Sequence, residues 1–330
     1  MAMDDELEHY LERLAGVLGH ADRRMGLKDY CRGLMLPLKR KSIEPLAAAM
    51  DPLHVAAKHQ SLHHFVAKSN WSDSALLREV RTVVEPVLGL ERECYWIIDD
   101  TGIPKQGKHS VGVTRQYCGQ LGKTENCQVA VSLSLASDKG SLPIQWRLYL
   151  PEDWTEDRPR CTAAGVPDGI PFATKIEIAL AQIKQAQDDG VPAGIVLADP
   201  AYGDSASFRD TLTEMAIPYA VGIRSATSVW APGTAPLPPE PTVGLGRPSK
   251  NLRRAPGHRP VSVKALALSL PAEAYQTVAW REGTNETLRS RFAAVWGHTA
   301  HKDSSRNTLR PPEWLLIEWP LGDTEPLKYF

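Results

Sequence analysis

Two acidic segments that directly follow short apolar runs are the residues best suited to chemistry in this chain. Residues 95–98 (YWII) lead into Asp99 and Asp100, and residues 194–198 (GIVLA) lead into Asp199. A carboxylate at the end of a buried strand is costly to desolvate unless it has a partner. Carboxylates at the ends of neighbouring strands can share Mg²⁺ or Mn²⁺, which prefer oxygen ligands, and a pair of such ions can promote phosphoryl transfer. The alternative is that these acids only cap the turns that follow them.

A basic, glycine-rich segment comes directly after the first acidic pair. Residues 101–124 contain five glycines and neither Asp nor Glu. The basic side chains in it are Lys105, Lys108, His109, Arg115 and Lys123. Such a segment would let the backbone of a polyanion approach the carboxylates and would offset the repulsion between phosphates and acids. We therefore expect these five residues to contact DNA, and the alternative is a solvated hairpin with ordinary lysines.

The same segments resemble a known family. The block YWIIDDTGIPKQGKHSVGVTRQYCGQLGKTENCQVAVSLSLAS, residues 95–137, resembles the DDE superfamily endonuclease domain of bacterial insertion-sequence transposases. VLADPAYGDSASFRDTL, followed by IPYAVGI, resembles the second acidic segment of that family. GLMLPLKRKSIEPLAA, VAWREGTNETLRSRFAAVW and WLLIEWP are also similar to it, so the resemblance runs from about residue 25 to the end.

This resemblance implies an α/β fold with an RNase H-like mixed sheet, an N-terminal helical domain and a C-terminal β-rich insertion. It implies DNA strand cleavage and transfer with two Mg²⁺ or Mn²⁺ ions, acting on transposon ends and target DNA. Carried over residue by residue, Asp100, directly before Thr, is the first metal carboxylate, and Asp199 is the second. Asp99 is the secondary candidate beside Asp100.

The third acid of such a family is a Glu on a helix after the β insertion, and no helical Y-x-x-R-x-x-x-E pattern is present here. Glu282, Glu313 and Glu318 lie in strand or turn contexts and are interpreted as structural. The sequence therefore predicts a chain that is truncated before the last catalytic helix, with an incomplete two-metal site. Such a chain is expected to bind DNA with little strand transfer by itself.

Pattern and composition divide the chain into four predicted parts. Residues 1–88 are predicted to form a helical DNA-docking domain with a basic cluster at Lys39, Arg40 and Lys41, and an ordinary helical cap domain is the alternative. Residues 89–228 are predicted to form the first part of the RNase H-like core, with apolar or alternating strands and amphipathic helices. Residues 229–262 are a Pro- and Gly-rich basic loop that includes Arg253 and Arg254, and residues 263–330 are the β-rich insertion.

Composition excludes several classes of protein. Lys plus Arg is 38 and Asp plus Glu is 39, so the chain is not a globally basic nucleic-acid-coating protein. It has no apolar run long enough for a transmembrane helix, and its five cysteines form no C-x-x-C pair, which is typical of reduced thiols. We expect a cytoplasmic protein without a membrane partner, associated with the nucleoid when bound to DNA and, by analogy, acting as a homo-oligomer.

Three functions remain open at this level. The first is a metal-dependent DDE transposase, and the second is a transposase remnant that binds DNA without catalytic activity. The third is a regulatory protein that reuses the fold without catalysis, and the presence of Asp100 and Asp199 argues against it.

Overall fold

The computed structural model describes residues 2–239, 250–282, 287–301, 303 and 306–330. The chain divides into two compact units. The first comprises Met1–Cys94 and Leu133–Trp146, and the second comprises Tyr95–Ser132 and Arg147–Phe330. Within the described ranges, no helix is both long and apolar enough to span a membrane.

Among the described residues, the helices and strands come in successive groups along the chain, with five helices first and four strands last. The helices are α1 (Ala2–Gly16), α2 (Ala21–Met35), α3 (Ile43–Met50), α4 (Val55–Ala67), α5 (Asp73–Leu88), α6 (Glu152–Thr155), α7 (Arg158–Ala163), α8 (Lys175–Asp188), α9 (Pro200–Gly203), α10 (Ala206–Glu214) and α11 (Val263–Ser269). The strands are β1 (Tyr95–Pro104), β2 (Thr114–Cys118), β3 (Lys123–Ser137), β4 (Gly140–Leu148), β5 (Ile195–Ala198), β6 (Tyr219–Val221), β7 (Ser228–Val229), β8 (Val261–Ser262), β9 (Gln276–Glu282), β10 (Thr287–Gly297), β11 (Glu313–Pro320) and β12 (Lys328–Tyr329).

Helices α1 to α5 belong to the first unit, as their apolar periodicity predicts. Their apolar faces bury a cluster that includes Leu14, Leu18, Leu27 and Phe65. A helix of this length is stabilised mainly by burial of such a face rather than by its intrinsic propensity. The helical character predicted for residues 1–88 is therefore confirmed, whereas a DNA-docking role for them stays a prediction.

A six-stranded sheet has the order β2-β3-β1-β5-β6, with β4 paired to β3. Strands β1 and β5 are parallel, β5 and β6 are parallel, and β2 and β3 are antiparallel. Strands β3 and β4 each contribute residues to both compact units. The predicted α/β class with a mixed sheet is confirmed.

The C-terminal part of the second unit is an antiparallel sheet in the order β12-β11-β10-β9. Its inner face contributes Val295, Leu315 and Ile317 to an apolar cluster that also includes Val263 and Leu266 of α11. The β-rich character predicted for the end of the chain is confirmed, with the difference that a helix precedes the strands. Ser262 caps this helix by accepting a hydrogen bond from the Ala265 amide at 3.1 Å.

Several elements differ from what the sequence predicts. Strand β2 and the short helices α6 and α7 lie in stretches that the pattern leaves without regular structure. Within the predicted basic loop, β7 and β8 pair with each other near its two ends, and Leu237 forms a bridge with Arg253. Arg247, part of that loop's basic run, lies outside the described residues.

Candidate active site

The parallel pairing of β1 and β5 positions the two acidic segments. The register runs from Tyr95↔Ile195 to Ile98↔Ala198. Asp99 and Asp100 come next on β1, and Asp199 comes directly after β5. The β1–β5 pairing stops at Ile98↔Ala198, so both acidic segments lie just past the same end of this pairing, on adjacent strands. The expectation that an acid ends each strand is confirmed for Asp199 but wrong for Asp99 and Asp100, because β1 continues past them to Pro104.

Alternation along β1 separates the two neighbouring aspartates. Trp96 and Ile98 are buried, and Asp100 lies on the same face of the strand because successive side chains point to opposite sides. The Asp100 side chain is only 18% exposed. Asp99 lies on the opposite face with Ile97, and its Oδ1 accepts a hydrogen bond from the Asp100 amide at 2.7 Å.

Asp199 lies at the junction between β5 and helix α9. It is the N-cap of that helix, and its Oδ1 accepts a hydrogen bond from the Ala201 amide at 2.9 Å. One oxygen of this carboxylate therefore caps the following turn, as the alternative prediction for Asp199 states. A carboxylate has two oxygens and about four acceptor positions, so capping leaves room for a further ligand.

A tight backbone contact fixes the segment after Asp199. A Cβ atom on Gly203 would lie 2.1 Å from the carbonyl oxygen of Gly222 and 2.9 Å from Cβ of Val221. Only glycine can occupy that position without a shift of the backbone. Helix α9 is thereby held against the end of β6, which constrains the position of Asp199.

Lys175 is a residue of this site that sequence reasoning missed. It is the first residue of α8, and its Nζ lies 2.5 Å from Oδ2 of Asp100. The sequence signal that could have found it is a lysine in the first turn of a helix, where the helix dipole disfavours a positive charge. An acid elsewhere in the fold was therefore to be expected as its partner.

Electrostatic effects connect the three aspartates. Asp99 reaches solvent, yet partial burial raises its pKa, and the charges of Asp100 and Asp199 raise it further while Lys175 lowers it. Burial likewise raises the pKa of Tyr202, with Asp100 and Asp199 adding to the effect. Asp100 and Asp199 are therefore close enough to raise the pKa of both Asp99 and the Tyr202 phenol.

Tyr202 presents an unusual polar atom at this site. Its side chain is 1% exposed, and its hydroxyl has no hydrogen-bond partner within the part of the chain that the structure describes. A buried hydroxyl without a partner is costly, and such groups are commonly satisfied by a water or an ion's hydration shell. In the same described ranges, no three His, Cys, Asp or Glu side chains converge closely enough to hold a metal ion.

The basic residues that follow Asp100 are in surface positions. Lys108, His109, Arg115 and Lys123 are exposed, and Lys105 is half-buried. Lys123 Nζ lies 3.4 Å from Glu125, just past the end of the acid-free stretch. The backbone of Lys105 is fixed to β3, since its N–H donates to the carbonyl of Asn126 and its carbonyl accepts from the Asn126 amide group at 2.7 Å.

The basic cluster at residues 39–41, which is also predicted to bind DNA, includes a side chain that contacts the protein itself. Lys39, Arg40 and Lys41 are exposed between α2 and α3, and Lys41 Nζ donates to the carbonyls of Leu34 and Leu36 near the end of α2. These bonds satisfy carbonyls that a helix end leaves without intrahelical partners.

Arg253 and Arg254 likewise contact the protein itself. Arg253 Nε donates to the carbonyl of Pro238 at 3.1 Å. Arg254 Nη2 lies 2.6 Å from Oδ1 of Asp303, whose side chain is 6% exposed. A basic run in the sequence does not reveal such partners, so a DNA contact by either arginine stays a prediction.

The glutamates considered as a possible third acid are engaged elsewhere. Glu313 Oε2 accepts from Arg209 Nε at 3.1 Å and from the Tyr219 hydroxyl at 2.9 Å. Glu318 lies 3.7 Å from Lys328 on the neighbouring strand. Both glutamates are on β11, in agreement with their predicted strand context. The side chain of Glu282 lies outside the described residues.

A mixed sheet with carboxylates close together on adjacent parallel strands is consistent with the RNase H-like class of nucleases. Comparison with known families agrees, because the model of the DDE superfamily endonuclease family matches residues 13–287. The chain belongs to this family, as its sequence resemblance predicts.

A curated relative provides a further comparison. The chain is 36% identical over 194 residues to the probable transposase for insertion sequence element IS701 of Microchaete diplosiphon. The similar region covers 58% of this chain and 47% of the relative, so the match spans about half the length of that protein.

Proposed function

We propose that this protein acts as a DDE-type transposase that cleaves and transfers DNA strands. The observation that carries the proposal is the parallel pairing of β1 with β5, since Asp100 and Asp199 both lie just past the same end of that pairing. The family to which the chain belongs and the similarity to an insertion-sequence transposase support the same function. Transposon ends and target DNA are the proposed substrates, and a homo-oligomer on DNA is the proposed assembly.

DDE superfamily endonucleases are metal-dependent. Asp100 and Asp199 offer carboxylate oxygens to a hard divalent cation, and among the described residues no group of three acids, histidines or cysteines forms a fuller metal site. Carboxylate oxygens are the donors that Mg²⁺ and Mn²⁺ prefer, and Mg²⁺ keeps several of its waters when it binds to protein. The unpartnered hydroxyl of Tyr202 beside the acids suits such a hydrated ion. Asp100 and Asp199 would hold the ion, which supplies water activation and stabilisation of the leaving oxygen.

The chain's own residues have distinct proposed tasks around this chemistry. Asp100 and Asp199 bind the ion, and Asp99 adds negative charge beside them. Gly203 lets helix α9 approach β6 and thereby positions Asp199. The exposed Lys108 and Arg115 attract the phosphate backbone of DNA, because cations close to phosphates release bound counterions.

A second candidate function, DNA binding without cleavage, is favoured by the partners of the glutamates. Glu313 is bound by Arg209 and Tyr219, and Glu318 lies near Lys328, so neither is placed to complete a metal site. The two candidates give opposite results in one assay, the metal-dependent cleavage of a labelled DNA end.

The test compares the unaltered chain with Asp100→Asn, Asp199→Asn and the control Asp168→Asn, which changes an exposed aspartate outside the site. Transposase function predicts cleavage that requires Mg²⁺ or Mn²⁺ and that falls by at least about 100-fold in the first two variants, because electrostatic groups at reaction centres have effects of this size. Binding of the DNA end without any cleavage would instead support the second candidate. Cleavage that persists in both site variants would contradict the proposed metal carboxylates.

A further inference from the structure

Lys175 occupies a position that local sequence preferences do not explain. It is the first residue of α8, directly after the N-cap Thr174, whose hydroxyl accepts a hydrogen bond from the Glu177 amide. The N-terminal end of a helix carries partial positive charge, which favours acids such as Glu177 and disfavours a lysine. An acid outside the helix would offset this unfavourable interaction.

That acid is Asp100. The 2.5 Å contact between Lys175 Nζ and Asp100 Oδ2 joins α8 to β1, and the two side chains are 34% and 18% exposed. A partly buried pair of this kind is screened less by salt than a surface ion pair. The ammonium thus lies directly on an oxygen of the carboxylate that the proposed function assigns to the metal.

The charges of the edge are unbalanced even with this contact. Asp100 contacts Lys175, and Asp99 and Asp199 lie close enough for the charge of Asp199 to act on Asp99. One ammonium cannot neutralise these three carboxylates, and a divalent cation would add two positive charges to them. The ammonium also takes one of the oxygens that such a cation would use.

We propose that Lys175 is a built-in counter-cation that holds Asp100 in the DNA-free protein and competes with the divalent ion for it. The inference rests on the proposed function, since it presupposes a metal ion at Asp100 and Asp199. Metal binding then requires the ammonium to leave Asp100 Oδ2, and the released side chain can pair with a phosphate oxygen of the DNA. Lys175 is in this sense a positioning residue that tunes metal affinity.

The experiment measures Mn²⁺ binding to the full chain without DNA, by electron paramagnetic resonance of the free ion. The variants are Lys175→Met and Lys175→Gln, which remove the charge, and Lys175→Arg, which keeps it. The matched control is Lys184→Met, because Lys184 is on the same helix, 70% exposed and 3.6 Å from Asp188. Loss of the competing charge is expected to raise Mn²⁺ affinity about tenfold, the effect of one close charge on a carboxylate site.

The expected pattern is tighter Mn²⁺ binding in Lys175→Met and Lys175→Gln, with little change in Lys175→Arg and none in Lys184→Met. A purely structural lysine would lower the melting temperature and leave Mn²⁺ affinity unchanged or weakened, and that result would overturn the proposal. The variants Asp100→Asn and Asp199→Asn test the metal site itself, so they distinguish a wrong role for Lys175 from a wrong proposed function. If Mn²⁺ binding is absent throughout, or is insensitive to both aspartates, then the metal site itself is wrong and the role of Lys175 falls with it.

Discussion

Ile98 of β1 is paired with Ala198 of β5, and the residue that follows each of them is an aspartate. The two segments are far apart in the sequence, yet in each one an acid follows a short apolar run. The two apolar runs pair with each other in parallel, so the pairing that places them in the core also brings the acids together, although β1 itself continues to Pro104. Burial of apolar residues and the electrostatics of the site are therefore set by the same strand register.

Gly203 is expected to be intolerant of even a methyl group. In Gly203→Ala the new Cβ would meet the Gly222 carbonyl at 2.1 Å, and relief of this clash requires α9 to move away from β6. We expect a loss of about 1–3 kcal/mol in the free energy of unfolding, as for overpacked sites, together with reduced metal-dependent cleavage. Urea unfolding gives the stability, and Gly119→Ala, with no atom within 4 Å of its Cβ, is the control. Equal unfolding midpoints for the two variants would contradict the contact.

Asp204 is expected to make stability depend on pH. Its Oδ1 accepts from the Arg224 amide at 2.8 Å and from the Thr227 hydroxyl at 2.9 Å, and its Oδ2 pairs with Arg224 Nε. Burial opposes ionisation of this carboxyl, but these hydrogen bonds outweigh it and lower its pKa. A lowered pKa contributes stability that is present above the unfolded value of about 3.9 and is lost as pH falls through the folded value.

Asp204→Asn should therefore cost about 1–3 kcal/mol at pH 7, the size of hydrogen bonds to a charged group. The difference from the unaltered chain should narrow progressively below about pH 4, where the unfolded state begins to protonate the aspartate, and should be smallest below the lowered pKa of the folded state, where both states are protonated. Urea unfolding at neutral and acidic pH measures this difference in the free energy of unfolding, and Asp168→Asn, at an exposed position, is the control. A deficit of the same size at every pH would mean that the charge of Asp204 is irrelevant.

Arg254 is expected to matter for folding more than for DNA. It pairs with the buried carboxylate of Asp303, which also accepts the indole N–H of Trp230 at 2.9 Å. Arg254→Ala would remove the Arg254–Asp303 ion pair, at a cost of about 2 kcal/mol, reduced from the value for fully buried pairs because Arg254 is partly exposed. Thermal melting and DNA titration test this, with the exposed Arg259→Ala as control. A normal melting temperature combined with weaker DNA binding would support the DNA contact predicted from the sequence instead.

Much of the fold could be predicted because its main elements carry strong apolar patterns. The run before Asp99, the alternation in β3 and the period of α8 each identify one element without any knowledge of its neighbours. Strand β2 (TRQYC) escaped prediction because it is short and polar and follows a glycine-rich stretch. Its residues are strand-like only through pairing with β3, from Thr114↔Cys127 to Cys118↔Lys123.

The residues of the site likewise differ in how far the local sequence predicts them. Asp100 and Asp199 could be found because each follows an apolar run within its own segment. Lys175 could not be assigned to the site because its partner is on a different element, and the distance between them depends on the tertiary fold. Arg254 is the opposite case. Its basic neighbours in the sequence predict a DNA contact, whereas in the fold its guanidinium pairs with Asp303.

The basic segment after Asp100 is expected to determine how DNA binding depends on salt. Lys108 and Arg115 are exposed and Lys105 is half-buried, and all three lie in a stretch without acids. Reversal of all three charges to Glu should weaken DNA binding. It should also lower the slope of log affinity against log salt by about 2–3, because each lost phosphate contact removes about 0.9 from the slope.

The matched control reverses three exposed cations elsewhere in the same unit, Lys184, Arg289 and Lys328, and so changes the net charge equally. Fluorescence anisotropy with one labelled duplex, measured over a series of salt concentrations, gives the affinity and the slope for each protein. If Lys105, Lys108 and Arg115 contact phosphates, only their triple variant loses slope, since distant charges are screened beyond about 10 Å at moderate salt. Equal losses in both triple variants would show that DNA senses only the overall charge, and the segment would then be an ordinary solvated hairpin.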